Sequence, residues 1–213
     1  MTLLLAERKP MRYFNEIAEF IQRDVCSFLM KRLSAHHAIT YQHSIRVALH
    51  SMSMAERLGA LDEAEADRFL RTVLLHDIGK LAVPSGILNH RGALGREEWT
   101  LLQSHSEQGS QMLSGLIGSG HVIPEVILYH HENLDGSGYP YGMQEKDLSM
   151  LVRIVRVADS FDAMTCQRGY NLVKSRDEAL EELYRWNDVC YDARAVECLH
   201  QMMSGGDTHD TVR

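Results

Sequence analysis

The segment HHENLDGSGYP, residues 130–140, places two adjacent histidines and two acids beside a glycine-rich turn that ends in tyrosine and proline. Packing alone does not require this combination of side chains. Histidine is the commonest metal ligand among the amino acids, and the chain has 12 histidines. The segment therefore predicts a metal site whose remaining ligands come from elsewhere in the chain.

Helical patterns surround this segment on both sides. Apolar residues recur every three or four positions, which is typical of amphipathic helices, and no stretch alternates as a strand would. Glycine-rich stretches at 79–95, 114–120 and 132–147 predict loops or breaks. The predicted helices cover residues 12–33, 41–58, 62–76, 97–113, 124–128, 148–165 and 192–203, and another begins at the Ser175–Glu178 capping box. The fold class is therefore all-α, a single helical bundle with an extra N-terminal helix.

The length of 213 residues suits one domain with a substantial core. We expect an N-terminal helical extension at 1–34, the main domain at 35–203 and a flexible tail at 204–213. The amphipathic pattern of the extension predicts that it packs on the core or in a homodimer interface.

Composition excludes several classes of protein. The net charge of −7 argues against broad binding to DNA or to anionic membranes. The apolar run in the first ten residues is too short for a signal segment, and no stretch approaches the ~18 apolar residues of a membrane span. The four cysteines are scattered without a CxxC pair, so we expect reduced thiols and a cytoplasmic protein.

Candidate metal ligands are distributed over five predicted helices. Facing helices of a bundle commonly build metal sites in this way, with side chains projecting into a shared core. Each residue alone has a more ordinary interpretation, since a His-Asp pair at a helix end is usually a cap or an ion pair and a single helical histidine is usually at the surface. The candidates are His43, His76, Asp77, His105, His130, His131 and Asp159.

The adjacent pair His76-Asp77 has a specific geometric consequence. Neighbours on a helix point about 100° apart, so they can bind different sides of a metal pair, with the carboxylate bridging two ions through its two oxygens. Bridged metals of this kind act on phosphoryl compounds, and a hydroxide between them is our predicted nucleophile. Imidazole and carboxylate ligands without a thiolate favour iron, manganese or zinc over magnesium or calcium.

Three motifs, HDIGK (76–80), HHENLDGSGYP (130–140) and ADSFDAMT (158–165), with His43 ahead of them, closely resemble the HD-GYP family of metal-dependent phosphohydrolases. The resemblance covers about residues 35–200. It implies an HD-domain-like helical bundle that hydrolyses cyclic dinucleotides, chiefly cyclic di-GMP, to linear pGpG or GMP. It also implies a centre of two or three ions, of iron or manganese, with zinc compatible with the ligands.

The resemblance also implies roles for single residues. The seven candidates above would be metal ligands, with Asp77 as the bridge. Lys80 would act in catalysis with Asp77 and bind the substrate phosphate, while Arg168 and Tyr139 would also bind substrate. Apart from the resemblance, an acid beside metal ligands usually orients one of them, so we expect Glu132 to support one of the adjacent histidines. The signature loop would lie beside the metals and is linked in the family to partners such as GGDEF diguanylate cyclases; its residues are Asp135, Gly136, Gly138, Tyr139 and Pro140.

Two departures from the family pattern bear on function. Some members have a glutamate that binds a third metal four residues before the first histidine, and this chain has Ile39 there, so we expect two metals. Asn171 replaces a basic residue of the family, which removes one charge-assisted contact to substrate phosphate. The alternatives are a phosphodiesterase for another cyclic dinucleotide such as a mixed GMP-AMP ring, a catalytically silent binding module, and a purely structural bundle.

Overall fold

The computed structural model describes residues 17–22, 24–166 and 173–204, so Arg168 and Asn171 lie outside the described residues. All regular elements in these ranges are helices, which confirms the all-α prediction. Residues 17–22 are helical. The α-helices that follow are α1 (Ser27–His36), α2 (Ala38–Arg57), α3 (Ala66–Leu74), α4 (Ser85–Leu88), α5 (Arg96–Gln103), α6 (His105–Met112), α7 (Ser114–Gly118), α8 (Pro124–Tyr129), α9 (Met150–Thr165), α10 (Arg176–Arg185) and α11 (Ala193–Ser204).

The two longest helices, α2 and α9, pack against each other in the centre of the bundle. Both helices have completely buried apolar side chains, including Val47 and Met54 on α2 and Ile154 and Val157 on α9. Burying each such side chain contributes about 1.5–3 kcal/mol relative to exposure. Helices α1 and α3 pack on other sides of α2, and α10 and α11 pack on α9. This core fixes the positions from which the polar side chains of the site project.

A short 3₁₀ helix, Ile78–Ala82, packs closely against α6. A β-carbon added to Gly79 would lie 1.8 Å from the carbonyl oxygen of His105 and 2.5 Å from the amide nitrogen of Gly109. Glycine is therefore required at position 79 for the two backbones to approach this closely. The approach brings the segment after α3 beside the start of α6.

Several predicted boundaries were wrong in informative ways. The helix predicted at 62–76 begins with a 3₁₀ turn, Glu63–Glu65, and α3 ends at Leu74, so His76 and Asp77 lie in the turn that follows. The predicted loop at 79–95 contains most of the 3₁₀ helix and all of α4, and the break predicted at 114–120 contains α7. The single helix predicted at 97–113 is divided at Ser104, whose hydroxyl donates to the carbonyl of Leu101.

The N-terminal helix predicted at 12–33 is interrupted within its described part. Asp24 accepts the backbone N–H of Cys26 at 2.9 Å and also binds Arg71 of α3, and this local bond ends the first helix before α1 begins. The domain boundary predicted after residue 34 falls inside α1. The Ser175–Glu178 capping box and the position of Pro124 in the first turn of α8 are confirmed.

No helix in the described ranges combines the length and the apolar character that a membrane crossing needs.

Candidate metal centre

The structure brings together all seven side chains that the sequence predicts as ligands. His43 comes from the second turn of α2, and Asp159 comes from α9, which packs against it. The turn after α3 supplies His76 and Asp77. The remaining ligands lie at element ends, His105 as the first residue of α6 and His130 and His131 directly after α8.

Asp77 is shared by two groups of possible ligand atoms. One group is Asp77, His105, His130 and His131, and the other is His43, His76 and Asp77; within each group the atoms lie within 4.8 Å of one another. The two carboxylate oxygens face different groups. Oδ1 lies 3.2 Å from His105 Nε2 and 3.8 Å from His130 Nε2. Oδ2 lies 3.6 Å from Nε2 of both His43 and His76. This is the arrangement that a bridging carboxylate requires.

Three of the histidines have the same orientation. In each, Nδ1 lies within hydrogen-bond distance of a backbone carbonyl three residues earlier, and because a carbonyl only accepts, Nδ1 carries the proton. The ring nitrogen left for the site is therefore Nε2 with its lone pair, the form that binds a metal. The bonds join His76 to Val73 at 2.7 Å, His105 to Leu102 at 2.7 Å and His130 to Ile127 at 3.0 Å.

The donor set fits divalent cations on physical grounds. His76 Nε2 is completely buried and has no hydrogen-bond partner among the described residues. A buried polar atom without a partner costs free energy, and a cation at the centre of the site would remove that cost. Two carboxylates and five imidazoles supply the negative charge and the lone pairs that iron, manganese or zinc prefer.

Burial and neighbouring charges set the protonation of the centre. Burial, together with the adjacent His76 and His105, holds the pKa of His130 well below its usual value. Burial and His130 do the same to the pKa of His131. Burial alone would raise the pKa of Asp77, but the cation of Lys80 holds it well below the usual range of a carboxyl. At neutral pH His130 and His131 are therefore neutral and Asp77 is ionised, the forms in which these side chains bind metals.

Lys80 and Tyr139 lie at the rim of the centre. Lys80 Nζ donates to Asp77 Oδ2 at 2.6 Å. The Tyr139 ring stacks on the His131 ring with 4.7 Å between centroids and 26° between planes. The side chains of Lys80 and His131 are 12% and 18% exposed, whereas His76 and His130 are fully buried. The site therefore opens toward solvent on the side of Lys80 and His131.

Glu132 binds the backbone that follows the signature loop. One carboxylate oxygen accepts the backbone N–H of Tyr141 at 2.7 Å, and the other accepts that of Met143 at 3.1 Å. Both oxygens are thus engaged by the loop, whereas the sequence predicts that Glu132 supports one of the adjacent histidines. Gly138 packs against the backbone of residues 131–133, where an added β-carbon would lie 2.4 Å from the amide nitrogen of Asn133. The loop is therefore folded tightly onto the histidine segment.

The remaining signature residues shape the turn of this loop. Asp135 accepts the backbone N–H of Ser137 at 2.9 Å, and Gly136 has a positive φ of 81° that suits glycine. Pro140 follows Tyr139 through a cis peptide bond.

Asp162 is a residue of this neighbourhood that the sequence does not single out. Its Oδ2 lies 2.6 Å from Nδ1 of His43, while His43 Nε2 lies 2.9 Å from Asp159 Oδ1 inside the centre. Asp162 follows Asp159 by three positions, so both project from one face of α9. That spacing is the signal in the sequence that could have identified it.

Comparisons with known proteins agree with this geometry. A model of the HD domain family matches residues 27–195. A cyclic di-GMP phosphodiesterase from Pseudomonas aeruginosa is 35% identical over 174 residues, which are 81% of this chain and 42% of that protein. The 3′3′-cGAMP-specific phosphodiesterase 2 of Vibrio cholerae is 36% identical over 172 residues, which are 80% of this chain and 33% of that protein.

The fold is also found among solved structures. An HDG"Y"P protein from Bdellovibrio bacteriovorus superposes with a TM-score of 0.64 at 20% identity, over 92% of this chain and 64% of that one. The chain spans between a third and a half of the length of the two curated relatives. The match of the family model over most of the chain, together with the HDIGK and HHENLDGSGYP motifs at the centre, shows that the chain belongs to the HD domain family and to its HD-GYP branch.

Proposed function

We propose that this chain is a metal-dependent phosphodiesterase domain that hydrolyses cyclic dinucleotides, with cyclic di-GMP as the first candidate substrate. The observation that carries the proposal is Asp77, whose two oxygens face two separate groups of buried histidines next to Lys80. The names of the two curated relatives, a cyclic di-GMP and a 3′3′-cGAMP phosphodiesterase, support this substrate class.

The proposed cofactors are two divalent ions, of iron or manganese, held by the seven predicted ligands. Bound there, they would activate water and neutralise charge on a phosphodiester. A third ion is not expected, because Ile39 has no atom that could bind it.

The residues of the chain have distinct tasks in this proposal. Lys80 lies at the open side, where its cation meets the charge of the scissile phosphate and stabilises it as the phosphorus is attacked. Tyr139 lies over His131 at the same opening, in position to contact a substrate base or phosphate. Arg168 remains a predicted contact to the far phosphate. Hydrolysis adds water across one P–O3′ bond and opens the ring to a linear dinucleotide, and a second cleavage would give mononucleotides.

The rival functions make different predictions about the same site. A structural bundle has no use for a completely buried imidazole nitrogen without a partner. A silent binding module would be expected to have lost ligands. Here six predicted ligands form the two groups, Asp159 contacts His43 and His131 of those groups, and Lys80 lies beside Asp77. Binding of diguanylate cyclases through the signature loop and formation of a homodimer stay predictions.

Product analysis tests the proposed function. Protein purified without oxygen and loaded with ferrous iron or manganese is incubated separately with cyclic di-GMP, 3′3′-cGAMP and cyclic di-AMP, and the products are separated by chromatography. We expect linear dinucleotide or mononucleotide from at least one ring, and none from an Asp77→Ala variant. Absence of turnover of all three, with both ions confirmed bound, would overturn the proposal in favour of a binding module.

A further inference from the structure

Asp162 is a buried acid next to the metal centre, and it is not among the predicted ligands. Its side chain is 1% exposed. His76, His105 and His130 direct Nδ1 to backbone carbonyls, whereas His43 directs Nδ1 to the carboxylate of Asp162 at 2.6 Å. Among these four histidines, His43 is therefore the one whose Nδ1 contacts a carboxylate and not a backbone carbonyl.

Arg46, one turn after His43 on α2, fixes the plane of the Asp162 carboxylate. Its Nε donates to Oδ1 at 2.6 Å, and its Nη2 donates to Oδ2 at 3.0 Å. Cys166 Sγ adds a weaker contact to Oδ1 at 3.3 Å. Two-point Arg–carboxylate pairs combine charge with fixed geometry. Both oxygens of Asp162 thus have partners away from the metal centre, so Asp162 is placed to orient a ligand and not to be one.

A carboxylate bonded to the outer nitrogen of a histidine has two effects on the inner one. It fixes the tautomer and the ring orientation, and its charge makes the nitrogen that faces the metal more basic. His43 lies in the second turn of α2, and its Nε2 faces Asp77 and Asp159 on other elements. The orientation of its ring therefore decides whether Nε2 reaches the centre.

We propose that Asp162, held by Arg46, is a positioning residue that orients and strengthens His43 as the ligand of one of the two metals. The inference rests on the proposed metal centre, and it assigns Asp162 and Arg46 to the metal bound by the group His43, His76 and Asp77. The other group, which shares only Asp77, does not depend on Asp162.

The test compares metal retention in Asp162→Asn with that in a matched control. Asp192 is also a buried aspartate bonded to an arginine, with Arg153 Nη1 at 3.0 Å, and it accepts the N–H of Ala195 at the start of α11. Asp192→Asn therefore reproduces the loss of a buried charge away from the centre. Metals per chain are measured by elemental analysis during titration with a chelator, without substrate, and unfolding is followed in parallel.

We expect Asp162→Asn to lower the affinity for one of the two metals by about 10–100-fold, the usual effect of losing such a supporting residue. The affinity for the other metal should not change. Asp192→Asn should lower stability and keep both metals as in the wild type. Equal chelator resistance of Asp162→Asn and the wild type overturns the inference.

A second variant covers the case in which Asp162→Asn does not fold. Arg46→Gln removes the two bonds from Arg46 to Asp162 but leaves the bond between Asp162 and His43. The affinity for the same metal should therefore fall by a smaller factor. Unchanged retention in Arg46→Gln would then overturn the inference. Wild-type protein that binds no metal would overturn the proposed function itself, whereas retention that is insensitive to position 162 would remove this inference alone.

Discussion

Asp77 and Glu132 show how far residue types reveal their roles. The pair His76-Asp77 predicts that a carboxylate and an imidazole serve different sides of a metal pair, and the two oxygens of Asp77 do face different histidine groups. Glu132 is adjacent to a predicted ligand, but its partners are backbone N–H groups nine and eleven positions later. Residue types and their order along the chain predict which side chains gather at the centre, but they predict hydrogen-bond partners poorly, because the partners depend on how the loop folds back.

Replacing Glu132 by glutamine tests its role in the loop. The amide has one acceptor oxygen, so one of the N–H groups of Tyr141 and Met143 loses its partner. We expect the free energy of unfolding to fall by about 1–3 kcal/mol, measured by denaturant titration. Glu107→Gln is the control, because Glu107 contacts the same loop through the exposed Tyr141 hydroxyl and should change stability by less than ~0.5 kcal/mol. Equal effects of the two variants would contradict the role of Glu132.

Element boundaries decide where the ligands point. The division of the predicted helix 97–113 at Ser104 makes His105 the first residue of α6, and the end of α3 at Leu74 puts His76 and Asp77 in a turn. The sequence pattern predicts helices that run through both points, so it predicts the helices but not their breaks. The breaks depend on tertiary contacts, above all on the packing of the 3₁₀ helix Ile78–Ala82 against α6.

Gly79→Ala tests this packing. The added β-carbon would meet the backbone of His105 and Gly109, so the 3₁₀ helix and α6 must separate. We expect a loss of about 3 kcal/mol or more in unfolding free energy, with loss of bound metal as His105 moves away from Asp77. The matched change Gly86→Ala in α4 meets no atom within 4 Å and should be neutral or stabilising by up to ~1 kcal/mol. Similar stability of the two variants would show that the 3₁₀ helix does not need glycine at position 79 to pack against α6.

The whole molecule is predicted correctly as one helical bundle, since periodicity, loop composition and length all agree on it. The relation of the N-terminal segment to the bundle is not predictable, because it depends on a contact between residues 47 positions apart. Asp24 pairs with Arg71 of α3 through bonds of 2.8 and 2.5 Å, and Arg71 also donates to the carbonyl of His121. This ion pair connects Asp24, which lies just before α1, to α3.

The Asp24 pair predicts a pH dependence of stability. Burial opposes ionisation of Asp24, but the bond from Arg71 wins and lowers its pKa in the folded protein. The contribution is therefore fully present above the unfolded pKa near 4 and is lost as pH falls through the folded pKa. We expect Asp24→Asn to cost about 2 kcal/mol at pH 7, and the difference from wild type to shrink below pH ~4. Denaturant titrations of both proteins across this pH range measure the difference in unfolding free energy. A difference that grows as the pH falls would contradict the lowered pKa of Asp24.

The central claim is a pair of metals that share Asp77. The most direct measurement is a crystal structure of the metal-loaded chain with anomalous diffraction recorded at the metal absorption edge. We predict two peaks about 3.5–4 Å apart, with one oxygen of Asp77 bound to each and His43 and His76 on one side of the carboxylate. A single peak, or two peaks of which only one contacts Asp77, would contradict the claim.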